Sequence, residues 1–186
     1  MKVKSETNKL AKECIVTALI ELMKVRDYNG ITITDLTKKA GVSRMAYYRN
    51  YTSKEDIINK FADEVGASIH EKLAAMLPHA DVFDYYFELF AQLGSYSDLM
   101  LTAYNAGLGG LIHSQITKNM ALTFPTEGDT HVDRYRHVYL AGAFYNIFIK
   151  WLQNGRKESV VDMARLCCSL ACEGCRLSFP KGVSSK

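Results

Sequence analysis

Ile33-Thr34-Asp35-Leu36-Thr37-Lys38-Lys39-Ala40-Gly41-Val42-Ser43-Arg44-Met45-Ala46-Tyr47-Tyr48-Arg49-Asn50-Tyr51 is the stretch on which the reading of this chain turns. Two short helical segments flank a glycine, and the second begins behind a serine. Thr34 is expected to cap the first, over 35–40, and Ser43 the second, through residue 50. In each case a short hydroxyl accepts from the free backbone N–H groups of a helix's first turn. Gly41 supplies the positive φ that a tight turn between them needs. Ile33, Leu36 and Val42 can face a shared core, and Ala40 is small enough for the helices to approach closely. Upstream, residues 6–26 form a helix with Ala11, Ile15, Ala18, Leu19 and Leu22 on one face, ended at Asp27-Tyr28-Asn29-Gly30. The three segments together make a helix-turn-helix head whose last helix would point its N-terminal end at a major groove. Tyr47 and Tyr51 fall on the inward face of that helix.

Charge is distributed to match. Residues 1–54 hold 11 Lys+Arg and 5 Asp+Glu, a net +6, whereas residues 55–186 hold 12 and 15, a net −3. A basic head on a mildly acidic body points to an anionic partner, and a phosphate backbone is the obvious one.

Beyond the head, helical periodicity continues. Ser53-Lys54-Glu55-Asp56 opens a long helix with acidic residues where the helix dipole favours them, and Ile58, Phe61, Ala62, Val65, Ile69 and Leu73 form its apolar stripe. Further helices are expected at 81–93, 95–104, 108–124, 131–153 and 159–179, with a break at Gly107-Leu108-Gly109-Gly110. Three prolines in 186 residues are too few turn breakers for an all-β chain. The fold class is all-α, with about nine helices and two parts: 1–54, a DNA-binding head, and 55–186, a helical effector-binding and dimerisation body. No run of 18 apolar residues occurs, so no membrane span is expected, and the polar N-terminus reads as cytoplasmic.

The stretch 34–58, with Ala40-Gly41-Val42-Ser43, Tyr48, Tyr51 and Ser53-Lys54-Glu55-Asp56-Ile57, resembles the N-terminal signature of the TetR family of bacterial transcription regulators, over residues 10–62. The resemblance implies a homodimer that binds a pseudo-palindromic double-stranded DNA operator. A small-molecule effector entering the body would release it. The chain departs from the family pattern at Met45-Ala46, where Gly or Pro followed by Thr is common. The hydroxyl that usually meets phosphate at position 46 is therefore missing, and Arg44 is the residue placed to compensate. Candidate DNA contacts are Thr32, Thr34, Ser43, Arg44, Met45, Tyr48, Arg49, Asn50 and Lys54. Arg binds guanine O6/N7 in a bidentate way, Asn does the same with adenine, and Met touches a thymine methyl. Tyr48 and Lys54 match family positions that contact phosphate, and Thr32 and Thr34 would hold phosphate at the start of the preceding helix. In the body, His113 lies in the segment that the family uses to line its ligand pocket, and Tyr104, His113 and Tyr145 are the candidate ligand contacts. The expected dimer surface is 131–153 (Val138, Ala141, Gly142, Tyr145, Phe148, Leu152) with 159–179 (Val160, Met163, Leu166, Leu170, Gly174).

Cys167, Cys168, Cys172 and Cys175 crowd one helix. They could make a thiolate metal site or redox sensor, but a small-residue packing surface suits them better, since free cysteine behaves as a small hydrophobe and structural zinc normally draws its thiolates from loops. Packing is the expectation taken forward. Asp133 and His137 stand one turn apart as a surface pair. No nucleophile is paired with a base and an orienting group. No catalytic residue, metal site or cofactor is assigned. Alternatives to a ligand-released repressor are an activator, a regulator governed by a protein partner or by thiol or metal sensing, and a small helical enzyme.

Overall fold

A computed structural model describes residues 2–76, 81–123 and 131–172. Within them lie nine α-helices and no strand: α1 (Lys2–Met23), α2 (Ile33–Ala40), α3 (Arg44–Asn50), α4 (Lys54–Met76), α5 (Val82–Gly94), α6 (Ser97–Ala103), α7 (Gly109–Thr123), α8 (His131–Gln153) and α9 (Val160–Cys172). The all-α class and the helical segments agree with the expectation from periodicity. The expected cap of α2 is corrected from Thr34 to Thr32. The Thr32 Oγ1 accepts from the Asp35 N–H at 3.1 Å while the Asp35 carboxylate accepts from the Thr32 N–H, also at 3.1 Å. This reciprocal pair satisfies two otherwise orphaned donors and outcompetes a cap two residues later. The helix expected at 159–179 is described only to Cys172, and Cys175, Gly174, His79 and the prolines lie outside the described residues.

α1 to α3 enclose a small core. Ile15, Leu19, Leu36 and Tyr47 are buried almost completely, joined by Tyr28, Ile31 and Tyr51. Gly41 ends α2 in the left-handed region at φ 65°, where its N–H reaches the Thr37 and Lys38 carbonyls. The Ser43 Oγ accepts from the Ala46 N–H at 3.0 Å and starts α3. The division at 54/55 falls in the first turn of α4, which runs without interruption from head into body.

The body is built on α4 to α9, with α5 packed along α9, and α7 held between α4 and α8. Its centre is an aromatic cluster. Phe90 stands edge-on to Trp151 at 5.3 Å and to Phe144 at 5.2 Å, and Phe148 lies 6.0 Å from it. The α8–α9 connection is pinned by Arg156, a non-glycine residue at φ 56°. Its Nη1 donates to the Gly94 carbonyl (3.0 Å) and to Ser97 Oγ (2.9 Å), and its guanidinium lies over the Trp151 ring. A π-helical turn, Tyr104–Leu108, joins α6 to α7, with Gly107 at φ 82°. No helix among the described residues is long and apolar enough to cross a membrane.

Candidate nucleic-acid interface and body cavity

The head presents α3 to solvent on one side and buries it on the other. Tyr47 is fully buried and Tyr51 nearly so, while Met45 is 75% and Tyr48 54% exposed. Arg44, Arg49 and Ser43 are exposed too, as are Lys38 and Lys39 on α2. Large exposed apolar side chains are costly to leave in water unless something covers them. Here Met45 and Tyr48 stand between two arginines that form no ion pair with the described residues. The arrangement is a cationic, partly apolar surface on a rigid helix, suited to phosphates and base edges.

Two candidate contacts sit differently from the rest. Asn50 is turned inward: its Nδ2 donates to Asn8 Oδ1 and to the Ala46 carbonyl, both at 2.9 Å. Its amide closes α3 onto α1. The Lys54 Nζ donates to the Tyr28 carbonyl at 2.7 Å and lies 4.6 Å from the centre of the Tyr28 ring. It braces the α1–α2 connection as well as standing at the start of α4. Thr32 and Thr34 are exposed at the start of α2, but the Thr32 hydroxyl is engaged with Asp35 Oδ2 at 2.6 Å. Tyr28, whose hydroxyl donates to Glu55 at 2.9 Å, had no counterpart in the sequence reading. Only the fold brings residues 27 positions apart together.

Carboxylates in the head serve as braces. Hydrogen bonds from the Thr32 hydroxyl and N–H hold the Asp35 carboxyl below its usual value. The Thr52 N–H and Lys60 do the same for Asp56. The backbone N–H of its own residue lowers Glu55, with help from Tyr28 and Ser53. These carboxylates stay ionised and fix the helix ends that aim α3.

The body holds a cavity of about 100 Å³ between α1, α4, α5, α6 and α7. Its walls include Ile20, Phe61, Val65, Leu89, Met100 and Ile116, and no Asp, Glu, Lys or Arg lines it. Tyr104, His113 and Tyr145 are not among the residues that line this cavity. They meet one another instead at the joint of α7 and α8. The His113 and Tyr145 rings are 5.1 Å apart, edge to face. A Cβ on Gly109 would lie 2.6 Å from Tyr145 Oη and 3.1 Å from Tyr104, so a larger residue there would require these rings to shift. Ile112, Gln115, Ile116 and Asn119 on the other face of α7 line the cavity. The signal for them was the pair Gln115 and Asn119 one turn apart on an otherwise apolar face.

On α8 and α9 the expected dimer surface divides. Ala141, Phe148, Leu152 and Met163 are buried in the chain's own core. The apolar side chains left exposed are Tyr135, Val138 and Tyr139 on α8, and Leu166 and Leu170 on α9. Cys167 is buried, and burial pushes its thiol up to about 12; Cys168 is half-buried. Cys172 closes α9, and Cys175 lies beyond the described residues. Among the described residues no cluster of His, Cys, Asp or Glu could hold a metal ion.

By fold this is a helix-turn-helix architecture, a small basic head carried on a helical body with an internal cavity. Residues 15–61 match the model of the bacterial regulatory proteins of the tetR family. The HTH-type transcriptional regulator AlkX of Mycobacterium tuberculosis is 27% identical over 70 residues, which is 36% of this chain and 33% of that protein. The chain therefore spans about a third of the length of that curated relative. Two solved structures share the fold across nearly the whole chain. A TetR transcriptional regulator from Streptococcus agalactiae has a TM-score of 0.63 at 19% identity, covering 91% of this chain and 98% of its own. The fatty acid degradation regulator FadR from Bacillus halodurans has a TM-score of 0.61 at 17% identity, covering 89% and 96%. The likeness to the tetR family thus lies in the N-terminal segment 15–61, and the solved structures extend the shared fold to most of the chain.

Proposed function

We propose that this protein is a transcription regulator that binds a duplex DNA operator through α3 as a homodimer and leaves it when an effector occupies the body cavity. The observation that carries the reading is the exposed row Arg44, Met45, Tyr48 and Arg49 on a helix locked from behind by Tyr47. Arg44 at the first position of α3 reads a base edge, and Tyr48, Thr34 and Lys54 position the phosphate backbone, with Thr32 and Ser43 at the helix starts. Residues 1–54 act as the DNA-binding unit, and α4 is the rod that ties it to the body. The exposed Tyr135, Val138, Tyr139, Leu166 and Leu170 form the surface on which a second copy seats, giving a four-helix interface from α8 and α9 of each subunit. Paired heads then span successive major grooves about 34–36 Å apart. An effector that parts α4 from α7 shifts the population toward a wrong spacing. Repression by occupancy is the form this takes, in the cytoplasm, with no catalytic step and no bound cofactor.

Fluorescence anisotropy against duplexes recovered by selection tests the reading. Binding is expected to be sequence-specific and to weaken steeply with salt. Light scattering is expected to give twice 20.9 kDa; a mass of 20.9 kDa at concentrations where operator is bound would remove the dimer.

A further inference from the structure

The chemistry of the cavity wall selects among effectors, on the reading that this cavity is the effector site. Its lining is almost wholly aliphatic and aromatic; it includes His70 but no Asp, Glu, Lys or Arg. A carboxylate or phosphate carried inside would give up its water with no Lys or Arg in the wall to pair with, which disfavours it. Gln115 belongs to that wall, and its Oε1 is buried and accepts no hydrogen bond from the described residues. Its amide orientation is fixed from outside, because Nε2 donates to the Asp63 carboxylate at 3.2 Å and a flipped amide would aim oxygen at oxygen. Asp63 is held in turn by Lys118 at 2.7 Å. Gln115 therefore offers a free acceptor at Oε1, while its Nε2 is already engaged with Asp63. The neighbouring Asn119 Nδ2 is bonded to the Gln115 carbonyl at 2.9 Å.

We propose that the effector is an uncharged, slender, mainly apolar molecule with a single hydrogen-bond donor, a hydroxyl or N–H, seated against Gln115 Oε1. An apolar cavity of about 150 Å³ takes up benzene, so about 100 Å³ sets a scale of a few carbon atoms. Met23, Met100 and Met120 in the wall can repack to admit a somewhat longer chain. The bound donor satisfies this acceptor and leaves Asp63 and Lys118 in place. An acyl thioester supplies acceptors only and leaves Gln115 Oε1 unpaired.

The test uses the full chain and four six-carbon probes at pH 8: hexan-1-ol, the isosteric ether 1-methoxypentane, hexanoate and hexanoyl-CoA. Binding is read by calorimetry and by the fluorescence of Trp151, which packs on the Phe90 and Phe144 cluster beside the cavity. The alcohol is expected to bind at least tenfold tighter than each of the others, and Gln115→Leu is expected to erase its advantage over the ether while the ether still binds. Hexanoate or hexanoyl-CoA binding as tightly as the alcohol, an alcohol preference that survives Gln115→Leu, or no saturable binding of the alcohol would overturn the proposal. The wild-type series decides the matter alone should the variant not fold. Operator affinity of the ligand-free chain is measured in the same samples. Its absence would break the regulator reading and leave the cavity chemistry standing.

Discussion

The head and the body are built by different means. In the head, short helices are specified residue by residue: a capping box at Thr32, a left-handed glycine at 41, a serine cap at 43 and one fully buried tyrosine behind the exposed face. In the body, long helices are held by aromatic packing around Phe90 and Phe144, with room left for a cavity. Local chemistry fixes where side chains point in the first. In the second, only the meeting of distant helices does. A surface that must match a rigid duplex benefits from the first kind of construction, and a pocket that must admit a guest from the second.

The difference can be broken most severely at Tyr47. Tyr47→Ala empties the head core and is expected to cost about 3–5 kcal/mol, as for other large-to-small aromatic replacements. Circular dichroism should show a strongly lowered melting temperature and anisotropy a loss of DNA binding. Tyr47→Phe is expected to be neutral or mildly stabilising, because the Tyr47 hydroxyl is buried without a partner among the described residues. Arg44→Ala leaves the fold intact and is expected to weaken operator binding by about 1–3 kcal/mol while relaxing preference at one base per half-site. Ser43→Ala removes the cap of α3 and is expected to lower stability by about 1 kcal/mol, measured by urea unfolding.

Acid sharpens the comparison further. Asp35, Glu55 and Asp56 have folded pKa values below their unfolded ones. Their stabilisation is therefore present above the unfolded values, near pH 4, and is lost as pH falls through the folded ones. The melting temperature should be flat from neutral pH to about pH 5 and fall below pH 4, with loss of head structure detected first by hydrogen exchange in α2 and α3. In the body, the raised pKa of buried Cys167 predicts that iodoacetamide at pH 8 modifies Cys14 or Cys168 well before Cys167, as peptide mass spectrometry would show.

The same contrast explains what could be read from the sequence. The turn at Gly41, the Ser43 cap and the inward Tyr47 and Tyr51 are local facts, and spacing carries them. Two threonines stand two residues apart at the start of α2, and only the reciprocal bonding with Asp35 makes Thr32 and not Thr34 the cap. Asn50 reads as a base contact, and only the fold shows α1 bringing Asn8 against it. In the body, Tyr104, His113 and Tyr145 look like pocket residues because aromatics suit pockets. Their convergence around Gly109 depends on how α7 crosses α8, which periodicity does not encode. Gln115 and Asn119 border the cavity only because α4 faces them, which spacing along the chain does not encode.

The most direct measurement is selection of duplexes from a random library by the full chain, followed by anisotropy of the recovered sequence at several salt concentrations for wild type and Arg44→Ala. The expected result is a pseudo-palindrome with half-site centres one helical turn apart, about 10–10.5 base pairs. Affinity should fall steeply with salt, and Arg44→Ala should lose discrimination at one position in each half-site. Failure to enrich any sequence, or an Arg44→Ala protein that selects and binds the same operator as wild type, would contradict the assignment of α3 as the reading helix.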